Sequence, residues 1–221
     1  KRCRLMRQDT QGWEGQLDTW SVCVWTSGPS LSPQILIRRI STPPSSLRGW
    51  VDSNRMSGEM ADLLELAMRQ NLNLFICGPQ GSGKTGLLQA LLETADPGET
   101  LLQWGEPALS WPADGRPFFA ANPAAGSDNL DDMARRLHSD RLLIDPLDSS
   151  NMVPCLRALR RGQRGCLAGL TARDLSSALR WLPALVPTSE SYEHQHAAQM
   201  FGEFFHLAVE LIPLGASSAV G

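Results

Sequence analysis

The sequence predicts an α/β protein, a mainly parallel sheet covered by helices and preceded by a small β-containing piece of a separate N-terminal domain. Three observations predict it. From residue 57 onward, short apolar runs alternate with segments of helical periodicity, as strands and crossover helices do in a parallel sheet. One apolar run opens directly into a glycine-rich loop followed by a helical pattern, a strand–loop–helix connection of that architecture. Before residue 57 the apolar positions alternate singly instead, the period of half-buried antiparallel strands.

Taken in order, Trp20, Val22 and Val24, then Ile35 and Ile37, flank a Gly28-Pro29-Ser30 turn. They read as two strands, and residues 1–42 as the end of an N-terminal domain. The stretch from 43 to 56, entered through Ser41-Thr42-Pro43-Pro44-Ser45-Ser46, reads as a linker, and 57–221 as the main domain. There Ser57 is an N-cap candidate, and Met60, Leu63, Leu64, Ala67 and Met68 recur at helical spacing, which predicts a helix over about 58–70. Leu72 and Leu74 to Cys77 form a strand closed by Gly78-Pro79, and Leu87 to Leu92 a helix that stops at Asp96-Pro97-Gly98. Further strands are expected at 100–104, 141–145 and 166–170, with a late one within 204–212. Helices are marked by Leu130, Met133, Ala134 and Leu137, by Val153, Leu156 and Leu159, and by Leu175, Ala178, Leu179 and Leu182. Residues 105–127, rich in Pro, Gly and Ala, read as an irregular excursion.

The 221 residues, 42% hydrophobic and 19% charged, suffice for a real core and resemble neither a disordered nor a disulfide-scaffold chain. A net charge of -3 does not imply general affinity for nucleic acid, although residues 1–48 carry seven Arg/Lys against three Asp/Glu. Five cysteines, odd in number, widely spaced and without a CxxC pair, predict a reduced chain without a zinc site. No stretch reaches the roughly 18 apolar residues of a spanning helix. Numbering opens at Lys1 rather than Met, so residues upstream are expected.

The chemistry is concentrated at Gly78-Pro79-Gln80-Gly81-Ser82-Gly83-Lys84-Thr85-Gly86. The first eight satisfy G-x-x-x-x-G-K-[ST] between a predicted strand and a predicted helix, the context in which that motif works. Glycines let the backbone curl so that its N–H groups converge on phosphate, and the helix dipole adds positive potential. Lys84 neutralises phosphate oxygens and Thr85 offers a hydroxyl to Mg²⁺. Lys84 is the only lysine besides Lys1. A chain so biased toward Arg keeps an ammonium where a compact point charge is required. A ligand-free glycine turn is the blander alternative.

Such a site needs a second strand ending in an acid that holds Mg²⁺, and a group that polarises the attacking water. Leu142-Leu143-Ile144-Asp145 has the first form, although Asp145 would also suit a loop cap. Pro146 follows and is no base, which leaves Glu106, Asp114 and Asp148 as candidates.

Around these motifs the chain resembles the secretion and pilus traffic ATPases, the type II/type IV secretion and Tad pilus superfamily of RecA-like hexameric motors. The resemblance spans about residues 20–182. It rests on Gly28-Pro29-Ser30 followed by Ile35-Leu36-Ile37-Arg38-Arg39, on Met56-Ser57-Gly58-Glu59-Met60, on Asn71-Leu72-Asn73-Leu74 leading into the loop, and on Asp140-Arg141-Leu142-Leu143-Ile144. The Tad/CpaF-like branch carries similar segments in the same order. The resemblance implies a RecA-like ATP-binding domain that holds phosphate on Gly78–Thr85; the residues themselves add Gly86 to the loop, Thr85 and Asp145 as expected Mg²⁺ ligands, and Lys84, Glu106 and Asp145 as expected catalytic residues. Arg38 or Arg39 would approach the nucleotide, with a solvated strand end as the alternative. It further implies a homo- or hetero-oligomer, expected to be hexameric. Its partners would be inner-membrane secretion or pilus components, and its place the cytoplasm, peripheral to the inner membrane.

Three positions depart from the family pattern. Asp145-Pro146 stands where Gly-Glu is usual, Gln103-Trp104-Gly105-Glu106-Pro107 retains one acid where Glu-Asp is usual, and Leu170-Thr171-Ala172 replaces Leu-His-Ala. Loss of a positioned base or charge stabiliser commonly costs factors of about 10² or more. Slow turnover or none is therefore expected, and a nucleotide-binding subunit that scaffolds or regulates an active motor is the second reading. His138, His194, His196 and His206 show no shared metal spacing, His194 and His196 reading as a polar loop. Cys77 reads as a buried strand residue, and Trp104 and Trp111 as packing residues.

Overall fold

The structure, a computed structural model, describes residues 4–8, 12–17, 20–25, 33–39, 44–104, 116–121, 130–186 and 191–213. The chain divides into two compact units, Lys1–Pro43 and Pro44–Gly221. The first is an antiparallel sheet of β1 (Arg4–Gln8), β2 (Gly12–Leu17), β3 (Trp20–Trp25) and β4 (Gln34–Arg39), in that spatial order. The alternating residues seen in the sequence pair across it, Val22 with Ile37 and Val24 with Ile35. Two strands were expected here and the described residues form four. Arg4–Gln8 and Gly12–Leu17 carry little apolar alternation, so their pairing has no local signature.

The second unit is a six-stranded parallel sheet in the order β10-β5-β9-β8-β6-β7. Its strands are β5 (Leu74–Gly78), β6 (Leu101–Trp104), β7 (Phe118–Ala121), β8 (Arg141–Ile144), β9 (Cys166–Thr171) and β10 (Leu207–Glu210). Its helices are α1 (Leu47–Asp52), α2 (Gly58–Arg69), α3 (Lys84–Leu92), α4 (Leu130–Arg136), α5 (Met152–Arg160), α6 (Leu175–Trp181) and α7 (Ser191–Phe204). Every residue of β5 is buried because helices cover both faces. Successive side chains point to opposite faces. Leu74 and Ile76 accordingly join a core with Trp50, Leu64, Met68 and Leu87, while Phe75 and Cys77 join one with Ile144, Leu156 and Phe201.

Three further expectations are corrected. The excursion over 105–127 contains β7, a parallel partner of β6. Four residues with only Phe118 buried are too short to show a period among prolines and glycines. The expected linker holds α1, which buries Leu47 and Trp50; two apolar residues in one turn are likewise below the reach of periodicity. His194 and His196 lie on α7 rather than in a loop.

Candidate functional site: a phosphate-binding loop

The carboxyl ends of β5, β8 and β9 meet at one edge of the sheet, where ligands of open α/β sheets bind. From β5 the chain passes through Gly81 at φ +81° and Gly83 at φ +100°, left-handed conformations that favour glycine. It enters α3 with Gly83 as N-cap, without a side-chain cap and without an acid in the first turn. The amides of Gly81, Gly83, Lys84, Thr85 and Gly86 have no acceptor among the described residues. Open amides at a helix N-terminus, with the helix dipole behind them, suit an anion. The Lys84 side chain is buried, and its Nζ donates to the carbonyl oxygens of Gly78 and Pro79 at 2.9 Å each. Two of its three donors are thus used, which leaves one for a ligand.

Asp145 follows β8 and must reach α3 across β9, the strand between β8 and β5. It does so because β9 has a glycine there: a Cβ on Gly169 would stand 2.5 Å from Asp145 Oδ1. The Thr85 hydroxyl donates to Asp145 Oδ2 at 2.8 Å. The acid is buried, and burial holds its carboxyl above the usual carboxylate range, opposed by the Thr85 hydrogen bond and the Lys84 charge. Burial likewise lowers Lys84, opposed by Asp145 and Cys77. The Cys77 thiol is pushed up to about 11, chiefly by burial and then by Glu210, so it stays protonated and unreactive.

The hydroxyl and carboxylate pair fits Mg²⁺, which takes one or two protein oxygens and completes its shell with waters and phosphate. An ion there would also relieve the buried charge of Asp145. Among the described residues no cluster of three metal-ligating side chains occurs, so the pair would need a ligand's phosphate to hold a metal firmly.

Other acids near the loop are committed elsewhere. Asp148 Oδ1 accepts from the Ser150 amide, the Ser150 hydroxyl and the Asn151 amide. The buried Asn151 side chain donates to Pro146 O and accepts from the Asp148 amide, stapling the turn after Asp145. Asp174 caps α6 through the Ser177 amide, and Glu210 accepts from the Leu175 amide. Thr171 ends β9 beside Gly78. Glu106 and Asp114 lie outside the described residues, as does Trp111. Arg38 and Arg39 end β4 in the first unit, paired with Ser21 and Trp20; their side chains lie outside the described residues.

Three contributors escaped the sequence reading: Gly169, Asn151, and Trp50, whose ring lies against Gly83. An isolated glycine inside a strand pattern signals a close approach, so Gly169 had a readable signal. Asn151 and Trp50 had none.

No family model matches the chain. Two curated relatives do, the conjugal transfer protein TrbB of Rhizobium radiobacter and the probable conjugal transfer protein TrbB of Sinorhizobium fredii. Each is 26% identical over 183 residues, 81% of this chain. The match covers 56% and 55% of their lengths, so the chain spans about half of the relatives it matches. Among solved structures, the VirB11 ATPase of the Brucella suis type IV secretion system, in complex with sulphate, superposes with a TM-score of 0.65 at 14% identity. That alignment covers 96% of this chain and 71% of VirB11. The Legionella pneumophila ATPase DotB gives 0.60 at 16% identity, over 95% and 56% of the two chains. The pilus retraction motor PilT with bound ADP gives 0.58 at 12%, over 95% and 57%. The expected RecA-like α/β fold is thus the fold of this chain.

Proposed function

We propose that this chain is an ATP-binding component of a bacterial secretion, conjugation or pilus-assembly machine, in which nucleotide binding biases domain motion. The observation that carries the reading is the set of open amides of Gly81 and of residues 83–86, joined to the Lys84 ammonium and bordered by the Thr85–Asp145 pair. The amides and Lys84 bind and orient the phosphate tail, Thr85 and Asp145 hold Mg²⁺, and the buried setting strengthens each interaction. Mg²⁺, when bound, neutralises charge on the phosphates. The names of the relatives support the assignment to a secretion-type machine. An oligomer, expected to be hexameric, working against inner-membrane components from the cytoplasmic side belongs to the same proposal, as do Glu106 as a catalytic group and Arg38 or Arg39 near nucleotide. Among the described residues no helix is long and apolar enough to cross a membrane. The sequence segments resemble the Tad/CpaF-like branch and the curated relatives are conjugal transfer proteins, so the proposal is kept at the level of the wider superfamily.

A specific observation favours the second reading, a catalytically degenerate subunit that scaffolds or regulates an active motor. Pro146 occupies the place of a base, and Asp148 is tied into its own turn. A calorimetric titration with Mg-ATP and a phosphate-release assay test both. Mg-ATP binding is expected in the wild type and is expected to be lost in Lys84→Ala. Binding without turnover, alone or with membrane partners, selects the degenerate subunit. Retained binding in Lys84→Ala sinks the site assignment.

A further inference from the structure

The second unit begins at Pro44, and its first residues are folded into a hook. The Trp50 indole Nε1 donates to Pro44 O at 2.9 Å. A Cβ on Gly49 would meet the Pro44 ring at 2.7 Å, so that ring packs on the backbone of α1. The Ser46 hydroxyl accepts from the Gly49 amide at 3.1 Å and its carbonyl from the Trp50 amide. Behind the indole, the Arg55 amide donates to Trp50 O, and the guanidinium stands 5.6 Å from the ring centroid, within cation–π range. The far edge of the same ring faces the phosphate loop: Trp50 Cη2 is 3.3 Å from where a Cβ on Gly83 would stand. Gly83 is the left-handed N-cap whose conformation directs the open amides of α3.

We infer that Trp50 is a positioning residue that couples the connection between the two units to the phosphate loop. One rigid, 2% exposed side chain bonds the first residue of the second unit at one end and bears on Gly83 at the other. A ligand that fixes the amides of residues 83–86 also fixes the surface against which the indole rests, and so stiffens 44–55. By reciprocity, displacement of 44–50 lowers affinity at the loop. The inference rests on the reading of the loop as a nucleotide site, and it adds the route by which occupancy reaches the peptide leading to the other unit.

The test is hydrogen exchange across 44–56 in the full chain, with and without Mg-ATP at concentrations set by a calorimetric isotherm. Nucleotide is expected to slow exchange at the Trp50, Ser53 and Arg55 amides by at least about fivefold. Trp50→Phe, which keeps an aromatic ring but has no N–H to donate to Pro44 O, is expected to lose that slowing. Trp50→Leu is expected to lose it and to bind Mg-ATP about tenfold more weakly, with exchange in β5 and β9 unchanged. A normal isotherm with unchanged exchange over 44–56 overturns the inference while the site stands. So does wild-type affinity and protection in Trp50→Leu. Absence of any isotherm in the wild type overturns the site and the inference together. The wild-type comparison decides the matter even if Trp50→Leu does not fold.

Discussion

Asp145 is a buried acid bonded to one hydroxyl, and its ionised form is disfavoured by the loss of water. Its folded carboxyl titrates above the ordinary 3.8. Between that value and the raised one, the folded state holds a proton that the unfolded state has released, so stability falls as pH rises through the window. At neutral pH the charge is a standing cost. Asp145→Asn keeps an acceptor for Thr85 and removes the charge. It is expected to raise the stability of the nucleotide-free protein at pH 7, with no gain at pH 3, and to lose the Mg²⁺ dependence of ATP binding. Urea melts at the two pH values and titrations with and without Mg²⁺ check this; equal stabilisation at both pH values sinks it. The juxtaposition of Lys84, Thr85 and Asp145 was legible because it follows from spacing within one loop and from an apolar run ending in an acid. The clearance at Gly169 depends on which strand lies between β8 and β5, which no local pattern encodes.

At the scale of elements, Asn73 pins the entry to β5. Asn73 donates from Nδ2 to Phe204 O at 2.8 Å and accepts at Oδ1 from the Cys166 amide at 2.9 Å, while its own amide donates to His206 Nδ1 at 3.0 Å. It thereby ties the starts of β9 and β10 to the strand that carries the phosphate loop. Asn73→Ala leaves the Cys166 amide and the Phe204 carbonyl without their partner, and a loss of about 2–3 kcal/mol is expected. Chemical denaturation measures it; a loss within about 0.5 kcal/mol would show that water replaces the staple. Helices α2 and α5 were readable because several turns repeat one apolar face, and β8 and β9 because strands buried on both faces are continuous apolar runs. β7, β1, β2 and α1 were not, because four to six residues give pairing or burial little period to print. Their places come from partners distant in sequence, β6 for β7 and the phosphate loop for α1.

For the whole molecule, a ligand that binds only the folded second unit must stabilise it by mass action. At about 100 times the dissociation constant the gain is about 2.7 kcal/mol, which for a chain of this size raises the melting temperature by roughly 5–10 °C. Mg-ATP is expected to produce that rise in the transition of the second unit, as followed by calorimetry, and to produce none in Lys84→Ala. An unshifted wild-type transition at saturating nucleotide contradicts the loop assignment. The amino-acid order by itself determined the fold class, the strand–loop–helix at residues 74–92, and the acid that faces it, because each depends on periodicity or spacing within about a dozen residues. Only the tertiary structure decided which strand separates that acid from the loop and which ring lies beside Gly83. Those are contacts between segments dozens of residues apart, selected by the packing of whole layers rather than by any local preference of the chain.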